Sequence, residues 1–410
     1  MGKKIIIVSG IVPVLTFLAG LILGHNHSRF TDFVRIICFP FSILVFLLTL
    51  FLVRIRRSSF SPATRKIIRG MRAAVLLGIV WFVIAVFWPR SYGSRPMQPR
   101  AGIRYWDLAT GSRIAYTLIP GKGIKKPYPI IYLQGGPGGA TGRGEIQMLT
   151  PVADDGYDIY LFDEIGCGRS DRLANIRDYT ADRHKRDLEA IVRQIGASKV
   201  ILIGQSWGAI LAVLYAADNP GSVACMIVTG PGPIIPVHPE LAMVVAPDSL
   251  HLHAPFYSNR QGNELANNIR TCAMALLAAK YGIKLASDNE ADDFAAYLNH
   301  LVNRSAVADT SHIRSSIPGI GAGFYDQVMT VQSFSGTPDP RPKLKNSAIP
   351  ILVMKGQYDN QKWGFTHEYL DLFPRHQLVV FPNAGHCIAC EQLQGYQATI
   401  REYLGNPPVN

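Results

Sequence analysis

The pentapeptide Gly204-Gln205-Ser206-Trp207-Gly208 stands between a short apolar run, Val200–Ile203, and a stretch of helical length and periodicity, Trp207–Ala217. A serine held in G-x-S-x-G at a strand-to-helix turn constrains the fold strongly. The turn is tight, so small residues must flank the serine where strand, turn and helix backbones crowd together. Its hydroxyl then projects above the end of a sheet strand. The rest of the chain must therefore supply a sheet whose strand ends open onto accessible space.

From residue 103 the sequence does so. Ile103–Leu108 and Arg113–Ile119 pattern as paired antiparallel strands, and Ile130–Leu133, Ile159–Phe162, Met226–Val228, Ile351–Met354 and Leu378–Phe381 are short apolar runs of the buried parallel kind. Helical stretches, including Thr180–Ile195, separate them, and a terminal helix is expected near Glu391–Tyr403. Strands alternating with helices predict an α/β fold with a doubly wound, mostly parallel sheet. The alternation stops over residues 232–345, rich in helix formers. This block reads as a helical lid inserted into a core of residues 103–231 and 346–410.

A serine hydroxyl is a weak nucleophile without a base, and the base needs an acid to orient it. His386 follows the Leu378–Phe381 run in Asn383-Ala384-Gly385-His386, and Asp359 follows Ile351–Met354 in Lys355-Gly356-Gln357-Tyr358-Asp359. Both fall on loops after late strands, where the chain order serine, acid, histidine requires them. Asp371 is the substitute acid; His251 and His253 have no such placement. Acyl transfer also needs N–H donors aimed at the developing oxyanion. Trp207 supplies one, and Gly136, in Gln134-Gly135-Gly136-Pro137-Gly138-Gly139 after Ile130–Leu133, supplies the other. No Lys-Ser or Lys-Thr pair follows these glycines, which argues against a phosphate loop.

Taken with Asp163 and Gly166-Cys167-Gly168-Arg169-Ser170, these motifs resemble the prolyl aminopeptidase (proline iminopeptidase) branch of the α/β-hydrolases over about residues 103–231 and 346–405. The resemblance implies a triad of Ser206, Asp359 and His386 and removal of an N-terminal residue, often proline, from short peptides. It also implies lid carboxylates that hold the substrate ammonium, for which Glu240, Glu264 and Glu290 are the candidates, beside Asp292 and Asp293. Two departures stand out. Gln134 occupies a position where the family usually has His, and Glu164-Ile165 one where it usually has Gln-Arg.

The net charge of +12 would ordinarily suggest nucleic acid or an anionic surface. Its position says otherwise. Residues 1–100 carry 14 Lys and Arg and one acid, Asp32, for +13, leaving 27 bases and 28 acids, or −1, in the remainder. The basic residues flank three charge-free apolar runs, Ile5–Leu23, Ile36–Val53 and Ala73–Pro89, each near the roughly 20 residues that span hydrocarbon. Residues 1–90 are thus expected to form a membrane segment of three transmembrane helices in a lipid bilayer. A cleaved signal peptide is the alternative for the first run, although its 19 residues exceed a usual h-region. The segment Arg54–Arg72 holds seven bases and no acid and should stay cytoplasmic with Lys3 and Lys4. The N-terminus then lies inside, residues 91–102 form a linker, and the catalytic body is extracytoplasmic.

Five of the six cysteines lie in that body, where a disulfide can persist. Cys387 and Cys390 have no second Cys or His pair with zinc spacing, so no metal is expected, and acyl transfer by serine needs no cofactor. The chain thus reads as a membrane-anchored serine hydrolase acting on a small peptide. An acyl ester is the alternative substrate; an inactive scaffold of the same fold is the alternative from another class.

Overall fold

The computed structural model describes residues 61–93, 97, 99–309, 311, 321–345 and 347–405. The chain divides into two compact units, Met1–Arg90 with Asn267–Leu276, and Ser91–Ala266 with Leu277–Asn410.

In the first unit, helix α1 (Pro62–Phe87) begins eleven residues before the third apolar run. Ser61 accepts a hydrogen bond from the Thr64 N–H at 3.2 Å and Pro62 occupies the first helical position, a start signal that makes residues 62–72 helical rather than a connecting loop. At the other end the buried Arg270 guanidinium donates to the Val86 carbonyl at 2.5 Å, satisfying one of the last-turn acceptors. Among the described residues no helix is long and apolar enough to cross a membrane. The runs Ile5–Leu23 and Ile36–Val53 lie outside the described residues.

The second unit is built on one eight-stranded sheet. Its strands are β1 (Ile103–Asp107), β2 (Arg113–Ile119), β3 (Ile130–Leu133), β4 (Ile159–Phe162), β5 (Val200–Gln205), β6 (Val223–Thr229), β7 (Ile351–Gly356) and β8 (His376–Phe381), in the spatial order 1-2-4-3-5-6-7-8. β2 pairs antiparallel with β1 and with β4, and every later pairing is parallel. The continuous apolar runs explain this. β3, β5 and β7 are buried along nearly their whole length, as strands covered on both faces must be. Crossover helices α2 (Arg143–Asp154), α3 (Ala181–Ile195) and α4 (Trp207–Asp218) provide that cover on the N-terminal side. α4 is buried from Trp207 to Ala217, which is why it is apolar all round.

Between β6 and β7 lies the helical insertion, α5 (Asn259–Ala266), α6 (Ile269–Tyr281), α7 (Asp288–Val302), α8 (Phe324–Ser333) and α9 (Arg341–Leu344). Helices α10 (Trp363–Leu372), α11 (Ile388–Glu391) and α12 (Leu393–Gly405) complete the chain. The insertion separates the strand that carries the serine from the two strands that carry the other catalytic candidates.

Candidate active site

Ser206 ends β5 and precedes α4 with φ 53° and ψ −109°, a conformation an L-residue holds only when its surroundings enforce it. Those surroundings are the neighbouring glycines. A Cβ on Gly204 would lie 2.5 Å from the Gly208 carbonyl oxygen, and one on Gly208 would overlap the Leu133 carbonyl. The Ser206 N–H donates to the Thr229 carbonyl at 3.0 Å, which ties the turn to the end of β6.

The acid and the base come from the loops after β7 and β8. His386 Nδ1 lies 2.8 Å from Asp359 Oδ1, which fixes the ring and leaves Nε2 for the serine side. Ser206 and His386 line one cavity of about 350 Å³, together with Gly135 and Gly136. Asp359 is buried. Burial alone would raise its pKa, but the Lys355 ammonium at 3.1 Å and His386 outweigh that effect and hold the carboxyl well below the usual range. Lys355 also donates to the Gln361 carbonyl at 3.0 Å. A buried cation thus stands behind the acid, and the sequence alone assigned it no role.

The expected oxyanion donors belong to two segments that meet beside Ser206. Trp207 is the first residue of α4, so its N–H has no acceptor within the helix. Gly136 lies in the glycine loop after β3, where a Cβ on the neighbouring Gly135 would sit 3.7 Å from the Ser206 Cβ. Asp163 anchors the next loop: its buried carboxylate pairs with Arg100 at 2.7 Å and accepts the N–H groups of Thr141 and Arg169. Glu164, the adjacent residue, points behind the glycine loop.

The candidate ammonium-binding carboxylates lie elsewhere. Glu240 and Glu264 are exposed, the first beside His238 at 3.6 Å and the second paired with Arg260 at 2.7 Å. Glu290 sits in the first turn of α7, with its N–H on Ser287. None of the three lines the cavity around Ser206. Asp292 and Asp293 are committed too, Asp292 to Arg172 and Asp293 to the Tyr92 N–H. Asp371 pairs with His367 at 3.0 Å on the surface, and Cys387 and Cys390 form a disulfide immediately after His386.

A strand-ending serine, a histidine and a buried aspartate on one mostly parallel sheet match a known pattern. The alpha/beta hydrolase fold profile covers residues 128–392. The chain belongs to the alpha/beta hydrolase fold family. Similar proteins include the proline iminopeptidase of Heyndrickxia coagulans, 24% identical over 310 residues that span 72% of this chain and 96% of the relative. That of Saccharolobus solfataricus is 24% identical over 304 residues, covering 72% and 89%. Among solved structures, a thermophilic esterase from Thermogutta terrifontis superposes with a TM-score of 0.53 at 19% identity, over 75% of this chain and 99% of that one. An esterase from Exiguobacterium antarcticum gives 0.52 at 15% identity, over 73% and 98%.

Proposed function

We propose that this alpha/beta hydrolase is a serine hydrolase working through an acyl-enzyme. The observation that carries the reading is the 2.8 Å contact between His386 Nδ1 and buried Asp359, with Ser206 on the same cavity. His386 Nε2 removes the Ser206 proton as the hydroxyl oxygen attacks the substrate carbonyl. The Trp207 and Gly136 N–H groups hold the oxyanion, and the imidazolium protonates the leaving group. Water then enters, His386 takes its proton, and the acid departs from Ser206. Asp359, held ionised by Lys355, orients the ring and stabilises its charged form.

For the substrate, the iminopeptidase relatives support release of an N-terminal residue, proline-type, from a short peptide. A second reading has its own observation. The cavity presents the side-chain amides of Gln205, Asn259, Asn299, Asn303, Gln327 and Gln361, groups that hydrogen-bond neutral polar substrates such as esters without supplying charge for an ammonium. Prolyl and alanyl arylamides, their N-acetylated forms and short acyl esters would be offered to the full chain, with Ser206→Ala as control. Preference for the free amine supports the peptidase; ester or blocked-amine turnover alone selects the second reading. No Ser206-dependent turnover and no fluorophosphonate labelling would sink both and favour the scaffold.

We also propose that residues 1–90 attach the enzyme to a lipid bilayer as a multi-pass segment, with the catalytic unit extracytoplasmic. The basic flanks support this. So do the exposed Leu76, Leu77, Val80, Trp81, Ile84 and Phe87 of α1, a cluster too apolar for an ordinary water-facing helix, and the Cys387–Cys390 disulfide, which suits an oxidising compartment. A reporter active only outside the cytoplasm, fused after Asn410, should be active; a silent reporter with normal expression would reverse the orientation.

A further inference from the structure

Glu164 follows the anchor Asp163 at the end of β4 and is 1% exposed. Its carboxylate receives N–H groups from two separate segments. Oε2 accepts from the backbone of Gly138 and of Gly139, each at 2.8 Å, and Oε1 accepts from the Trp207 indole at 2.7 Å. These are the two segments that carry the oxyanion donors, the glycine loop and the start of α4. Both oxygens therefore act as acceptors, which suits an anion and not a protonated carboxyl.

The buried charge has a partner. His184 Nδ1 lies 3.6 Å from Glu164 Oε1, and His184 Nε2 lies 2.9 Å from buried Asp326, which also accepts from Thr330 and faces Cys167. Burial alone would make His184 harder to protonate, but the Asp326 and Glu164 carboxylates outweigh it and push its pKa up to about 9. The three ligand-type atoms fall within 4.8 Å of one another, yet the hydrogen bonds just described already engage them.

We propose that Glu164 is a positioning residue: paired with His184, it clamps the glycine loop and the serine turn to one point and so sets the spacing of the Gly136 and Trp207 N–H groups around the oxyanion. The proposal rests on the serine hydrolase reading above. A preorganised oxyanion hole loses much of its value when a donor moves by a fraction of an ångström. Glutamine keeps the volume of Glu164 but offers one acceptor oxygen, so its NH₂ must face either the Gly138 and Gly139 N–H groups or the Trp207 indole. One half of the clamp is lost in either orientation.

The test uses the full chain carrying Glu164→Gln, with Trp207→Phe as a second variant that removes only the indole N–H and keeps an aromatic ring against Phe334. In Glu164→Gln, kcat is expected to fall about 10–100-fold with KM within about twofold, a fraction of the loss for deleting a donor outright. Affinity for a phenylboronic acid, whose tetrahedral adduct on Ser206 imitates the intermediate, should weaken in parallel. Trp207→Phe should show a smaller fall of the same kind, and it decides the question if Glu164→Gln does not fold. A kcat within twofold of the wild type, or a loss carried by KM, overturns the proposal. If the wild type shows no Ser206-dependent turnover, the hydrolase reading fails separately. Amide hydrogen exchange across residues 134–141 then tests the clamp: faster exchange in Glu164→Gln supports it, and unchanged exchange refutes it.

Discussion

Lys355 Nζ lies 3.1 Å from Asp359 Oδ2, and both side chains are almost completely buried. The catalytic acid is thus one end of an ion pair four residues long, with His386 on its other oxygen. Removing the cation strands a buried carboxylate, which typically costs about 3–5 kcal/mol. Lys355→Met is therefore expected to lower the melting temperature clearly and kcat by at least about tenfold, because the acid loses the charge that keeps it ionised. Thermal denaturation and steady-state kinetics check this; a variant with wild-type kcat would show that Asp359 needs no counterion.

Gly230, at the end of β6, has φ 48°, and a Cβ there would lie 2.6 Å from His386 Nδ1 and 3.2 Å from Asp359 Oδ2. Gly230→Ala should push the imidazole off its acid. Activity should fall about 100-fold or more, with a smaller stability cost of about 1–3 kcal/mol for the strained backbone. A crystal structure of the variant, or the pH dependence of kcat/KM, would reveal the displaced ring.

The serine turn gives a sharper contrast between two glycines. A methyl group on Gly208 collides with the Leu133 backbone, which cannot give way, whereas one on Gly221 meets nothing within 4 Å. Gly208→Ala should abolish soluble, folded protein. Gly221→Ala should change stability by less than about 1 kcal/mol. Expression yield and denaturant midpoints would separate them.

Two buried groups set opposite limits on pH stability. His184 has a folded pKa of about 9 against an ordinary 6.5, so its contribution is fully present below about pH 6.5 and is lost as pH rises through 9. Asp359 is depressed, so its contribution is present above its ordinary value of 3.8 and is lost as pH falls below it. The melting temperature should therefore drop by several degrees between pH 7 and 10. His184→Gln should flatten that alkaline limb and leave the acid one intact; an unchanged alkaline limb would place the titrating group elsewhere.

Legibility followed the range of the interaction. The strands were readable because β3, β4, β5 and β7 are continuous apolar runs of four to six residues, and the sequence reading placed β2, β3 and β4 to the residue. Ser206, Asp359 and His386 were readable from their placement just after strands. Helix α2 was not, because Gly142 starts it and Pro151 lies inside it, residues that ordinarily punctuate loops. Glu164, His184 and Asp326 escaped for a different reason. They meet across up to 162 residues of chain, and only Glu164 left a local trace, as a carboxylate in a motif position that usually holds an amide. Lys355 was in plain view beside Asp359, yet a lysine two residues before a turn ordinarily points to water.

The insertion between β6 and β7 has a temporal consequence. Ser206 emerges in the first part of the catalytic unit, while His386 is among the last 25 residues made. A nascent chain therefore carries its nucleophile for most of its synthesis with no base to activate it. Hydrolytic competence begins only when β7 and β8 join the sheet, so the enzyme is switched on by the completion of its own fold.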